Sequence, residues 1–121
     1  MSDQKKTRPA PWSPVENRAV CALYELIWLD CMEPGRGYTK AARIREAQAG
    51  ELSQRSRGSI EAKLMNVTAA LESLGAGFVE FSLSENGYRP LPNMQAALKA
   101  AVRDYFDPAH TQPVEGDEAR A

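Results

Sequence analysis

A chain of 121 residues has room for one small domain with tails, not for two. Fifteen Lys and Arg stand against 16 Asp and Glu, a net charge of −1, which alone argues against a protein that coats nucleic acid through bulk charge. No run approaches the ~18 apolar residues of a membrane span. Lys5, Lys6 and Arg8 are followed by no apolar segment of the signal-peptide kind, so the cytoplasm is the expected compartment.

Residues 1–12 are polar, basic and broken by Pro9 and Pro11, which reads as a flexible arm of the sort that can reach into a minor groove. Ser13-Pro14-Val15-Glu16 then starts a helix. Ser13 can cap, Pro14 suits the first helical position, and Glu16 can bond back to the cap N–H. This helix reaches about Met32. Val20, Leu23, Tyr24, Ile27 and Cys31 form its core stripe, and Leu26, Trp28 and Leu29 widen it. A face so broad implies heavy burial or a surface that meets a partner. Trp12 is placed to staple onto the start of the helix. Cys21 and Cys31 lie ten residues apart on this helix, roughly 15 Å at ~1.5 Å per residue, too far for a disulfide. They read as small buried hydrophobes.

Pro34-Gly35 ends the first helix, and residues 33–38 form a loop. Thr39 caps a second helix, about Lys40 to Ala49, closed by Gly50, with Ala41, Ile44 and Ala47 as a thin apolar stripe. After a short connection, Ser56 caps a third helix ending near Gly75. Ile60, Leu64, Val67, Leu71 and Leu74 recur at spacings of four and three, the stripe of one helix face. The opposite face carries Ser59, Ala62, Asn66, Ala69 and Ser73, short and without a carboxylate. Two short-linked helices, the second with such a face, form a helix-turn-helix pattern.

Beyond Gly75-Ala76-Gly77, Val79, Phe81 and Leu83 alternate as in a short strand, and Asn86-Gly87 signals a turn. Pro90 and Pro92 forbid a long return strand. The segment reads as a stunted wing or an extended loop, with Tyr88 as a core lid or, with Arg89, a wing contact. Asn93 is expected to cap a last helix, about Met94 to Phe106, with Leu98, Val102 and Tyr105 inward. Residues 107–121 read as a disordered tail. The expected fold is therefore mainly α: a helix-turn-helix-like bundle of about four helices over residues 13–106, with at most a short β-hairpin or wing.

The charge is unevenly distributed. From Arg36 to Lys63 seven cations face three anions, a local +4; from Leu64 onward four cations face eight anions, a local −4. Such asymmetry points to a basic patch. No catalytic constellation accompanies it. The single histidine, His110, lies in the tail, no metal-ligand spacing occurs, and the phosphate-cradling glycine motifs are absent, so neither a cofactor nor an enzyme is expected.

The pattern Arg55-Ser56-x-Gly58-Ser59-Ile60-Glu61-x-Lys63-x-x-Asn66-Val67-Thr68-Ala69-x-Leu71-x-x-Leu74-Gly75, with Gly87-Tyr88-Arg89-Pro90-x-x-Asn93-x-Gln95-x-x-Leu98, resembles the N-terminal module of bacterial HNH endonucleases of the modification-dependent restriction type. The resemblance spans about Trp12 to Phe106. It departs at Ala62, where that family usually has an aromatic, and at Leu64-Met65, where it has His-Gln. The metal-binding ββα unit of an HNH nuclease needs histidines that this sequence lacks. The resemblance implies a targeting or accessory module tied to restriction or phage defence, without the nuclease.

The first functional expectation is thus a small protein that binds double-stranded DNA. Ser59, Ala62 and Asn66 would enter the major groove beside the Ser56 cap, and Arg43, Arg55, Arg57 and Lys63 would meet phosphates, with the Arg55 and Arg57 side chains exposed at the start of the third helix. The alternative is a protein-interaction or dimerisation module that uses the apolar first helix.

Overall fold

The computed structural model describes residues 10–33, 35 and 39–107. The basic residues of the arm before Ala10, Arg36 of the basic patch, and the tail with His110 lie outside the described residues.

Among the described residues there are four α-helices: α1 (Pro14–Met32), α2 (Lys40–Gln48), α3 (Arg57–Leu74) and α4 (Ala96–Phe106). Local chemistry sets the starts of the first three. Ser13 Oγ accepts from the Glu16 N–H at 3.1 Å while Glu16 Oε1 accepts from the Ser13 N–H at 2.9 Å, a complete capping box. Thr39 accepts from the Ala42 N–H and Ser56 from the Ser59 N–H. Gly75 closes α3 at φ 83°, where a side chain would be strained. α2 and α3 are joined by a tight turn in which Leu52 is fully buried.

α3 is the central element. Ile60, Leu64, Val67 and Leu71 are fully buried against Val20, Tyr24 and Ile27 of α1, Ile44 of α2, and Leu98 and Val102 of α4. Leu74 is only half-buried. The middle of the small face is covered too, since Asn66 and Ala69 are buried, while Ser59 and Ala62 are partly exposed and Ser73 is exposed. Water reaches α3 fully only at its first turn and near its C-terminal end, while Glu61, Ala62, Lys63 and Met65 are partly exposed.

No strand occurs among the described residues. The expected strand over 78–83 is replaced by two 3-10 turns, Val79–Phe81 and Ser84–Asn86. A lone strand would leave its N–H groups unpaired, and Pro90 and Pro92 supply no second strand. The chain instead closes short local bonds, Phe81 N–H to Phe78 O and Ser82 N–H to Val79 O, both 3.0 Å. Val79 consequently faces water, while Phe81 packs between Trp28 and Phe106 with ring centroids at 4.9 and 5.0 Å. Tyr88 is buried as a lid, with Lys40 Nζ 4.8 Å from its ring centroid, and burial pushes its hydroxyl up to about 12.

α4 starts at Ala96, later than the expected Met94, and its N-cap is Gln95 without a side-chain bond. Asn93 is committed elsewhere: its carbonyl, with that of Leu91, accepts from the Asn66 side chain. Residues 88–95 therefore run as a strap across α3 before the helix begins.

Candidate functional site

The residues expected to contact DNA are not brought together as one surface. Arg43 lies in a fork with Asp30, Nε to Oδ2 at 2.8 Å and Nη2 to Oδ1 at 3.0 Å, and also reaches Glu46. Arg55 is only 8% exposed. Its Nε and Nη2 donate to Glu16 Oε2 and Oε1 at 2.8 and 2.7 Å, and its Nη1 and Nη2 donate to the carbonyls of Ala10 and Pro11. The expected exposed guanidinium is thus an internal tie, and Arg43 is likewise internal. Both arginines trade phosphate-binding capacity for charge-assisted bonds within the fold.

Asn66 is the third correction. Its Nδ2 donates to Leu91 O at 2.5 Å and to Asn93 O at 3.4 Å, and the Leu91 N–H donates to Met65 O at 3.1 Å. Short side chains on this face do allow close backbone approach, but the approaching backbone is the protein's own strap.

Ser56, Arg57, Ser59 and Lys63 remain on the first turns of α3. Ser56 is occupied as the cap, and Arg57 Nε meets Glu61 at 3.1 Å in an exposed pair of little energetic weight. Lys63 is half-buried, with its Nζ 5.2 Å from the Trp12 ring centroid, and it meets no carboxylate among the described residues. Burial, and then the nearby Arg55 charge, lower its pKa. Trp12 also carries the Arg55 guanidinium, 4.8 Å from its centroid, so it packs at the start of α3 rather than on α1 alone. Trp12, Arg55, Ser59 and Lys63 line an open cleft of about 300 Å³ with Ala10, Pro11 and Gln95.

A different surface lies on α1. The helix is apolar on two sides. One side faces the core through Val20, Tyr24 and Ile27. The other leaves Val15 58% and Leu26 38% exposed, with Ala19 and Ala22 half-covered between them and Leu29 half-covered beyond. Beside this stripe, α1 and α2 enclose a cleft of about 320 Å³ lined by Ala19, Ala22, Leu23, Leu26, Ala47 and Leu52. Its rim carries Arg43 and Glu46 of α2 and Glu51 of the turn that follows. The sequence expectation of a core stripe through Val20, Leu23, Tyr24 and Ile27 agrees with their burial, and of the residues that widen it Leu26 is the one left exposed.

No protein-family model, curated protein or solved structure matches the chain. The site therefore stands on its own geometry. Among the described residues no group of His, Cys, Asp or Glu could hold a metal ion, and no helix is long and apolar enough to cross a membrane. Cys21 is buried, with its thiol pushed up to about 12 by that burial.

Proposed function

We propose that this chain is a helical docking module that works through the outward face of α1 and the cleft beside it. The observation that carries the reading is the second apolar side of α1, where Val15 and Leu26 face water next to an apolar cleft. Exposed apolar surface continuous with a groove is the usual seat of an amphipathic helix. A photo-crosslinking residue at Leu26, compared with one at exposed Lys99 on α4, tests it in cells. Discrete adducts at Leu26 and none at Lys99 are expected; equal labelling at both positions would remove the reading.

A second reading keeps the DNA expectation in altered form. Lys63 has no carboxylate partner, and it stands with Arg57 at the open first turn of α3, beside N–H groups whose dipole favours anions. Contacts there would be to backbone phosphates through Arg57, Ser59 and Lys63, with no base read by Asn66. This form also suits an accessory part in restriction, as the sequence resemblance implies. Arg57 and Lys63 replaced by Ala should weaken binding to all duplexes alike and flatten the salt slope by roughly two units. A parent protein that binds no duplex at low salt would end this reading.

A further inference from the structure

We infer that the occupant of the α1 stripe is a second copy of this chain, its α1 packed antiparallel to the first across a two-fold axis beside Ala22. The inference rests on the docking reading and names its partner.

The charges flanking the stripe are self-complementary under that symmetry. Arg18 and Glu25 lie on the same edge of α1, the edge facing α4. Both meet Tyr105: the Arg18 guanidinium lies 5.3 Å from its ring centroid, and its hydroxyl donates to Glu25 Oε1 at 2.7 Å. Tyr105 thus holds the two side chains in place before any partner arrives. A two-fold axis lying in the interface and perpendicular to α1 sets each edge against the same edge of the partner, running the other way. With the axis beside Ala22, Arg18 of one copy faces Glu25 of the other, and the reverse pair forms at the far side of the axis. Val15 then lies opposite Leu29, and Ala22 opposite Ala22, where a small side chain allows close helix approach. A parallel arrangement would set each edge against the opposite edge of the partner, and Arg18 and Glu25 would not meet. The contact lies toward the α4 edge, which leaves Glu46 of α2 and Glu51 of the following turn outside it.

Sedimentation of the whole chain up to about 0.5 mM, where even weak interfaces associate, should show a reversible dimer. Arg18→Glu and Glu25→Arg should each weaken self-association about tenfold or more, and the double exchange should restore it. Leu26→Asp should yield a monomer with an unchanged circular dichroism spectrum. In a Cys31→Ser background, Ala22→Cys should form a disulfide-linked dimer on mild oxidation, whereas Ala100→Cys on exposed α4 should not. A strict monomer, or charge exchanges that fail to restore each other, would overturn the inference. A monomer whose Leu26 photo-adduct contains a different protein would overturn it too while leaving the docking reading in place. A monomer with no specific adduct would remove both.

Discussion

Arg55 and Glu16 are 39 residues apart in sequence and joined by two charge-assisted hydrogen bonds of 2.7 and 2.8 Å. The same Glu16 carboxylate closes the capping box of α1 through the Ser13 N–H. One side chain therefore starts a helix and fastens it to the turn before α3, while Arg55 also grips the carbonyls of Ala10 and Pro11. Arg55→Ala should destabilise by about 3 kcal/mol, the low end of the cost of breaking a buried pair. Arg55→Lys should recover little, because one ammonium cannot reproduce a planar fork bound to three acceptor groups. Denaturant midpoints decide this, and a fully stable lysine variant would contradict the assigned role.

The pair also sets an acid sensitivity. The Arg55 hydrogen bonds hold the Glu16 carboxyl at about 2, against an ordinary 4.5. A carboxyl whose folded pKa is depressed binds its proton more readily in the unfolded chain. Its stabilisation is complete above about pH 4.5 and drains away as the pH falls toward 2. Glu16→Gln should be less stable at neutral pH and should lose less than the parent over that window. Unfolding curves taken at several pH values should converge for the two proteins at the acid end.

Tyr24 ties three elements at the centre of the core. Its hydroxyl accepts from the Leu83 N–H at 2.7 Å and lies 2.7 Å from Thr68 Oγ1. Tyr24→Phe keeps the ring and its edge contact with Phe106 but leaves the Leu83 N–H buried without a partner. The expected cost is about 1–3 kcal/mol, the penalty for an unmade buried hydrogen bond. Hydrogen exchange at the Leu83 amide should accelerate in the variant more than exchange in mid-α3.

The core stripe of α3 gives a stability test of a different kind. Leu64 and Leu71 are fully buried, so Leu64→Ala and Leu71→Ala should each cost about 2–5 kcal/mol. Denaturant midpoints near that of the parent would contradict their place in the core.

What the sequence disclosed was local. Ser13, Thr39, Ser56 and Gly75 mark helix ends through contacts within a few residues, and the structure keeps them all. The Ile60-to-Leu71 stripe, too, is legible, because periodicity needs no partner. Side-chain destinations were not. Nothing near Arg55 announces Glu16, and a cation with a distant carboxylate reads like a cation awaiting phosphate. Alternation at Val79, Phe81 and Leu83 resembles a strand, but a strand needs a neighbour, which local pattern does not supply. The paired Arg43 and Arg55 also remove two of the cations that made the patch between Arg36 and Lys63 look basic.

Asn66 separates the structural role from the recognition role most sharply. Its amide group donates to the carbonyls of Leu91 and Asn93, and so fixes the strap that leads into α4. A base-reading asparagine would be dispensable for folding; this one is bonded within the fold. Asn66→Ala should destabilise by about 1–3 kcal/mol, because it frees two carbonyls that the strap cannot fully turn to water. Asn66→Asp should be worse still at neutral pH. An ionised carboxylate has no proton to donate, and it would face two carbonyl oxygens in a buried position. Lowering the pH toward protonation of that carboxyl should recover part of the loss in the Asp variant, against the acid trend of the parent. Hydrogen exchange should quicken at the Leu91 amide, which donates to Met65 O beside the mutated residue. If both variants match the parent in midpoint and in Leu91 exchange, the strap is held by other contacts and the Asn66 amide is free for a ligand.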